Sequence, residues 1–118
     1  MNFSPQTKER LARQQDKYMN SLSGKKDRIF NCWSLIQTGG WTLDLLSELR
    51  TEVHRLAGSA GSYGLVRLGK AAQNLDRMLA LESEMSSLSS SIAELVDKLF
   101  SAFDEVISNS VSASTQIH

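Results

Sequence analysis

Apolar residues recur every three or four positions along most of the chain, the period of a helix that buries one face. Leu43, Leu46, Leu49, Val53, Leu56 and Ala60 hold this spacing for about five turns. Leu65, Leu68, Ala72, Leu75 and Leu79 repeat it, and Ile92, Leu95, Val96, Leu99, Phe103, Val106 and Ile107 carry a further stripe. Toward the start the pattern thins. Leu11, Tyr18 and Leu22 mark a first segment from about Ser4 to Leu22, and Ile29, Trp33 and Ile36 mark a second from about Lys25 to Gln37.

Punctuation between the stripes sets the expected boundaries. Ser4 is an N-cap candidate ahead of Pro5, which suits the first helical position. Ser23-Gly24 predicts a break, Gly39-Gly40 a stop, and Gly64 a left-handed helix end. Thr42 is a second N-cap candidate, with Asp44 in the first turn where an anion complements the helix dipole. A serine-rich link from Ser83 to Ser91 precedes the last stripe. The small polar residues from Ser108 to His118 predict a disordered tail. The expected fold is all-α: an antiparallel four-helix bundle over residues 1–107 with an additional N-terminal helix lying across it. Met19, Met78, Met85, Trp33, Trp41, Phe100 and Phe103 are expected to pack its core.

Composition narrows the function. The 118 residues suit one domain, and the 13 basic side chains are matched by 13 acidic ones. That balance argues against a nucleic-acid binder, which needs a basic excess to neutralise phosphates. Lys8, Arg10, Arg13, Lys17, Lys25, Lys26 and Arg28 nonetheless make the first two segments basic. Glu82, Glu84, Glu94, Asp97, Asp104 and Glu105 make the C-terminal part acidic, which predicts solvated faces with some complementarity between helices. Cys32 is the only cysteine, so neither an internal disulfide nor a cysteine-based zinc site is available. No apolar run reaches the ~20 residues that span a bilayer, and the first fifteen residues lack the apolar stretch of a secretory signal. A cytoplasmic protein is expected. Gly64 to Lys70 has the spacing of a phosphate-binding loop, but Ala71 stands where a Ser or Thr would hold magnesium and no strand precedes it.

One segment departs from filler, His54-Arg55-Leu56-Ala57-Gly58-Ser59-Ala60-Gly61-Ser62-Tyr63-Gly64. Its glycines, with Gly69 just beyond, each cost a helix roughly 1 kcal/mol relative to alanine. At about 100° per residue, His54 points some 120° away from the buried stripe and is expected to be accessible. Ala57, Gly58 and Gly61 follow at i+3, i+4 and i+7, leaving an open shelf from which a second protein could reach the imidazole. A neutral imidazole is a competent nucleophile through its unprotonated nitrogen. An acceptor for Nδ1–H would leave Nε2 free, and Asp76 on the next helix is the candidate, with Gln73 one turn back as the alternative. Arg50 at i−4 is placed to screen a phosphoryl group, and Arg55, Arg67 and Lys70 could add to a basic rim. No spacing of His, Asp and Glu predicts a metal site.

These residues, with Gly64-Leu65 opening a Leu-rich helix, resemble the signature of histidine-containing phosphotransfer (HPt) domains. The resemblance implies a four-helix bundle whose exposed mid-helix histidine, here His54, is phosphorylated on Nε2. The family's facing-helix position, usually Gln or Glu, falls on Asp76. Where the family usually carries a lysine three residues after the histidine, this chain has Ala57.

The expected function is therefore that of a phosphoryl carrier in a two-component phosphorelay. His54 would accept the group from a receiver aspartate or a histidine kinase and pass it to a response-regulator receiver domain. It would work as a monomer with no turnover chemistry or cofactor of its own, the partner receiver bringing Mg2+. The alternative is a helical scaffold that docks on receivers without being phosphorylated, a reading that Ala57 motivates.

Overall fold

The computed structural model describes residues 5–40, 42–81 and 90–116, with side chains at 6–40, 42–81 and 90–109. Four helices carry the described chain: α1 (Pro5–Gly39), α2 (Leu43–Ala60), α3 (Val66–Leu81) and α4 (Ser90–Gln116). A single 3-10 turn, Gly61–Tyr63, joins α2 to α3. Within α2 and α3 the apolar stripes lie where their spacing placed them. Leu46, Leu49, Val53, Leu56 and Ala60 are buried on α2, and Leu68, Ala72, Leu75 and Leu79 on α3.

The register of contacts shows that neighbouring helices run antiparallel. Along α1, Tyr18, Arg28 and Cys32 meet Ser59, Glu52 and Leu45 of α2, so the partner number falls as the α1 number rises. Lys26 and Phe30 of α1 meet Asp104 and Phe100 of α4 in the same sense. His54 faces Asp76 while Gly61 faces Gly69, which sets α3 antiparallel to α2. Lys26–Asp104 and Arg67–Glu105 join basic positions to the acidic face of α4.

The separate N-terminal helix is not observed. Its two predicted segments form the single 35-residue α1, and Ser23-Gly24 lies inside it. One glycine costs about 1 kcal/mol in a helix interior, whereas burying a Leu or Ile side chain contributes about 1.5–3 kcal/mol. Leu22 and Ile29, on either side of Gly24, are both fully buried, and Tyr18, Trp33 and Ile36 continue the same stripe. Lys25 also reaches back across the expected break, donating to Ser21 Oγ at 2.7 Å and lying over the Tyr18 ring. At 1.5 Å per residue α1 is about 52 Å long, the 53 Å long axis of the molecule, so its first turns project beyond the shorter helices. Leu11 on that projection is 46% exposed instead of packed.

The link between α1 and α2 closes as its glycines suggest. Gly40 has φ 95° and donates to the carbonyl of Ile36, while Thr42 caps α2 by accepting from the backbone N–H of Leu45 at 3.2 Å. Leu43, which continues the α2 stripe in sequence, is 76% exposed at the helix start. Trp33 and Phe103 are buried, and Met19, Met78 and Phe100 are packed partly against the core. Ser4, Trp41, Met85 and most of the Ser83–Ser91 link lie outside the described residues; Ser90 and Ser91 begin α4. The backbone from Ser108 continues the helix to Gln116, with no Gly or Pro to end it.

Candidate functional site

The α2–α3 seam is organised by glycine geometry at one end. Gly64, at φ 81°, turns the chain between the two helices, and Leu65 N–H closes onto the carbonyl of Ala60 at 2.9 Å. A Cβ on Gly69 would lie 3.3 Å from the backbone nitrogen of Gly61, so this glycine lets α3 approach the end of α2 closely. Gly58 and Gly61 differ: a Cβ on either would meet nothing within 4 Å. The fold needs bare backbone at Gly64 and Gly69 but not at Gly58 or Gly61.

His54 stands beside this open surface with its side chain 77% exposed, because Val53 and Leu56 take the buried phase of α2. Its Nδ1 lies 2.9 Å from Oδ2 of Asp76, which α3 holds at the edge of the core next to the buried Leu75. An ionised carboxylate only accepts, so Nδ1 carries the proton and Nε2 of the neutral ring keeps its lone pair. The acceptor is the carboxylate of Asp76. Gln73 is exposed one turn earlier and lines a cavity beside the ring without bonding to it.

Two cavities flank the imidazole. The larger, about 550 Å3, is lined by Leu43, Leu46, Ser47, Arg50, Thr51, His54, Arg55 and Asp76. The smaller, about 410 Å3, brings Arg50, His54 and Asp76 together with Gln73, Arg77 and Ala80. Of the cations expected at the rim, Arg50 lines both and Arg55 one, whereas Lys70 and Arg67 line neither. Arg67 instead pairs with Glu105 at 3.0 Å. Ala57 is half-buried against the core. Arg77, Ser47 and Thr51 were not singled out by motif; helical spacing, i+4 from Gln73 for Arg77 and i−7 and i−3 from His54 for the other two, is the signal that finds them.

A model of the Hpt domain matches residues 7–108. The chain belongs to the Hpt domain family. No curated protein and no solved structure matches it. Hpt domains are histidine phosphotransfer modules of phosphorelays, carriers that interact with receiver domains and kinases, and the helical bundle described above has their architecture. Among the described residues of this Hpt chain, no three His, Cys, Asp or Glu side chains are grouped to hold a metal ion. None of its described helices is long and apolar enough to cross a membrane.

The end of α2 is braced by α1 through an aromatic contact. Tyr18 stacks on Tyr63 with ring centroids 4.1 Å apart, and its hydroxyl shares a 2.6 Å hydrogen bond with Ser59. Gln15 donates to the carbonyl of Tyr63 at 3.0 Å. Tyr63 thus does more than fill its local turn. Burial raises the Tyr18 phenol above its ordinary value, against the opposing effect of the Ser59 hydrogen bond. Cys32 is buried and lies with Sγ 3.2 Å from the carbonyl of Leu45; burial, then the carboxylate of Glu48, raises its thiol.

Proposed function

We propose that His54 accepts a phosphoryl group on Nε2 from a receiver aspartyl phosphate or a histidine kinase and passes it to the aspartate of a response-regulator receiver. The observation that carries this reading is the exposed ring with Nδ1 bonded to Asp76, which supports a tautomer with the Nε2 lone pair free for attack. From an aspartyl phosphate, the Nε2 lone pair forms the N–P bond while the P–O bond to the carboxylate breaks. The carboxylate leaves with the electron pair, and Nδ1 keeps its proton. The positive charge that develops on the ring then faces Asp76, which stabilises it. Transfer onward reverses these steps, so the carrier needs no general base of its own.

Gly58 and Gly61 supply the approach. Their helix cost is not offset by packing within this chain, which fits surface kept clear for a partner. Ala57 adds little bulk there, and of the cations expected to screen the phosphoryl charge, Arg50 and Arg55 line the cavities beside the ring whereas Lys70 does not. The divalent cation, Mg2+, belongs on this reading to the receiver's acidic pocket.

The test is incubation with a small-molecule phosphodonor or a phosphorylated receiver. Acid-labile, alkali-stable label is expected on His54 and absent from His54→Gln. The absence of a lysine at Ala57 motivates a second reading, a scaffold that docks on receivers unphosphorylated. Receiver binding without label would establish that reading and sink the carrier.

A further inference from the structure

The imidazole has two unlike flanks. On one side, Ala57, Gly58 and Gly61 themselves carry no charge. Toward the α2–α3 seam, two arginines meet over one carboxylate, since Arg50 and Arg77 line the same cavity as His54 and Asp76. Elsewhere on the molecule Lys26, Arg28 and Arg67 are paired with Asp104, Glu52 and Glu105. Among the described residues neither Arg50 nor Arg77 has such a partner. Nε of Arg50 is moreover buried with no hydrogen-bond acceptor, an arrangement disfavoured for any polar group and more so for a cation. The single carboxylate there, Asp76, is already engaged by Nδ1 of His54. The seam of the unmodified protein therefore holds positive charge and donors in excess of acceptors.

We propose that Arg50 and Arg77 form a clamp for a tetrahedral oxyanion at Nε2 of His54. They would hold the phosphoryl oxygens from the α3 side and take the part that Ala57 leaves open on the other. The identity of the anion as a phosphoryl group rests on the carrier reading; the anion site itself rests on the two unpaired guanidiniums. Arginine suits the task because its planar fork donates two parallel hydrogen bonds to phosphate oxygens. Arg50, one turn before His54 on the same face of α2, reaches the ring along the helix, and Arg77 closes from α3. Arg55 lines only the other cavity and Lys70 neither, so both are peripheral to the clamp.

The experiment has two arms on the full chain. In the first, inorganic phosphate is titrated while the ring resonances of His54 are followed by NMR. Saturable shifts are expected for the wild type and for Arg67→Gln, with affinity at least about fivefold weaker in Arg50→Gln and Arg77→Gln. Equal affinity in all four proteins, or an equal loss in Arg67→Gln, overturns the clamp. In the second arm His54 is phosphorylated with phosphoramidate, and the pH midpoint of the phosphoryl 31P resonance is measured. Removal of either arginine should raise that midpoint by about half a pH unit, because nearby cations favour the dianion; a merely structural role would not move it. Arg77 is exposed, so Arg77→Gln carries both arms if Arg50→Gln, at a half-buried position, fails to fold. Arginine-dependent phosphate binding with no label on His54 leaves the clamp standing and removes the carrier reading. Label on His54 with unchanged midpoints and affinities does the reverse.

Discussion

At His54, helix phase and one hydrogen bond govern different properties of the same ring. The buried neighbours Val53 and Leu56 turn it outward, and Asp76 bonds its Nδ1, the contact proposed to leave Nε2 free. Asp76→Ala should therefore leave the bundle folded and slow phosphorylation of His54 about tenfold, the loss expected for one charge-assisted hydrogen bond at a partly exposed site. Ring 15N shifts should show Nδ1–H dominant in the wild type and a mixed tautomer population in the variant. Normal rates with an unchanged tautomer would remove Asp76 from the mechanism. Gly58→Glu places bulk and negative charge one turn from the imidazole where no internal contact is lost. Its melting temperature should stay near that of the wild type while transfer from a phosphorylated receiver falls; unchanged kinetics would count against a shelf for the partner.

Among the elements, α1 shows how packing overrides a local break signal. Gly24 is exposed inside a continuous helix, and a Cβ there would meet only the end of the Arg28 side chain at 3.7 Å. Gly24→Ala should consequently stabilise the protein by about 0.5–1 kcal/mol, read as a higher urea midpoint. A hinge at this position in solution would instead leave stability unchanged or lower. Gly69→Ala, on α3, makes the opposite case. Its Cβ would press on Gly61 backbone at 3.3 Å, and backbone yields less readily than a flexible side chain. A loss of about 1–3 kcal/mol is expected, with weakening of the His54–Asp76 bond as the helices part.

For the molecule as a whole, two buried acids are expected to contribute to its alkaline sensitivity. Burial raises both the Tyr18 phenol and the Cys32 thiol above their ordinary values. The folded chain thus keeps protons that the unfolded chain has released. Their contribution to stability is fully present below about pH 9 and is lost as pH rises through the raised values. Urea midpoints should fall as pH rises above about 9, and the fall should be smaller in Tyr18→Phe with Cys32→Ala. An equally steep fall in that double variant would place the alkaline sensitivity elsewhere. The same burial predicts that Cys32 is alkylated far more slowly than a free thiol until the chain unfolds.

Periodicity and short-range motif made much of this protein readable from its amino acids. The stripes of α2 and α3, the Thr42 cap, the left-handed Gly64 and the outward phase of His54 all follow from neighbours within a turn or two. Family resemblance then rested on a contiguous run around that histidine, and the family match extends over residues 7–108. What the amino acids left open depended on residues far apart in the chain. Gly24 looked like a stop because its local cost is visible, while the burial of Leu22 and Ile29 that outweighs it exists only against the other helices. Asp76 was the candidate acceptor and Gln73 its alternative, and only the α2–α3 register put the carboxylate on Nδ1. The burial of Arg50 Nε and the convergence of Arg77 on the same cavity were likewise decided by that register. Helical phase is a property of one segment; pairing across a seam is settled only when two segments share a core.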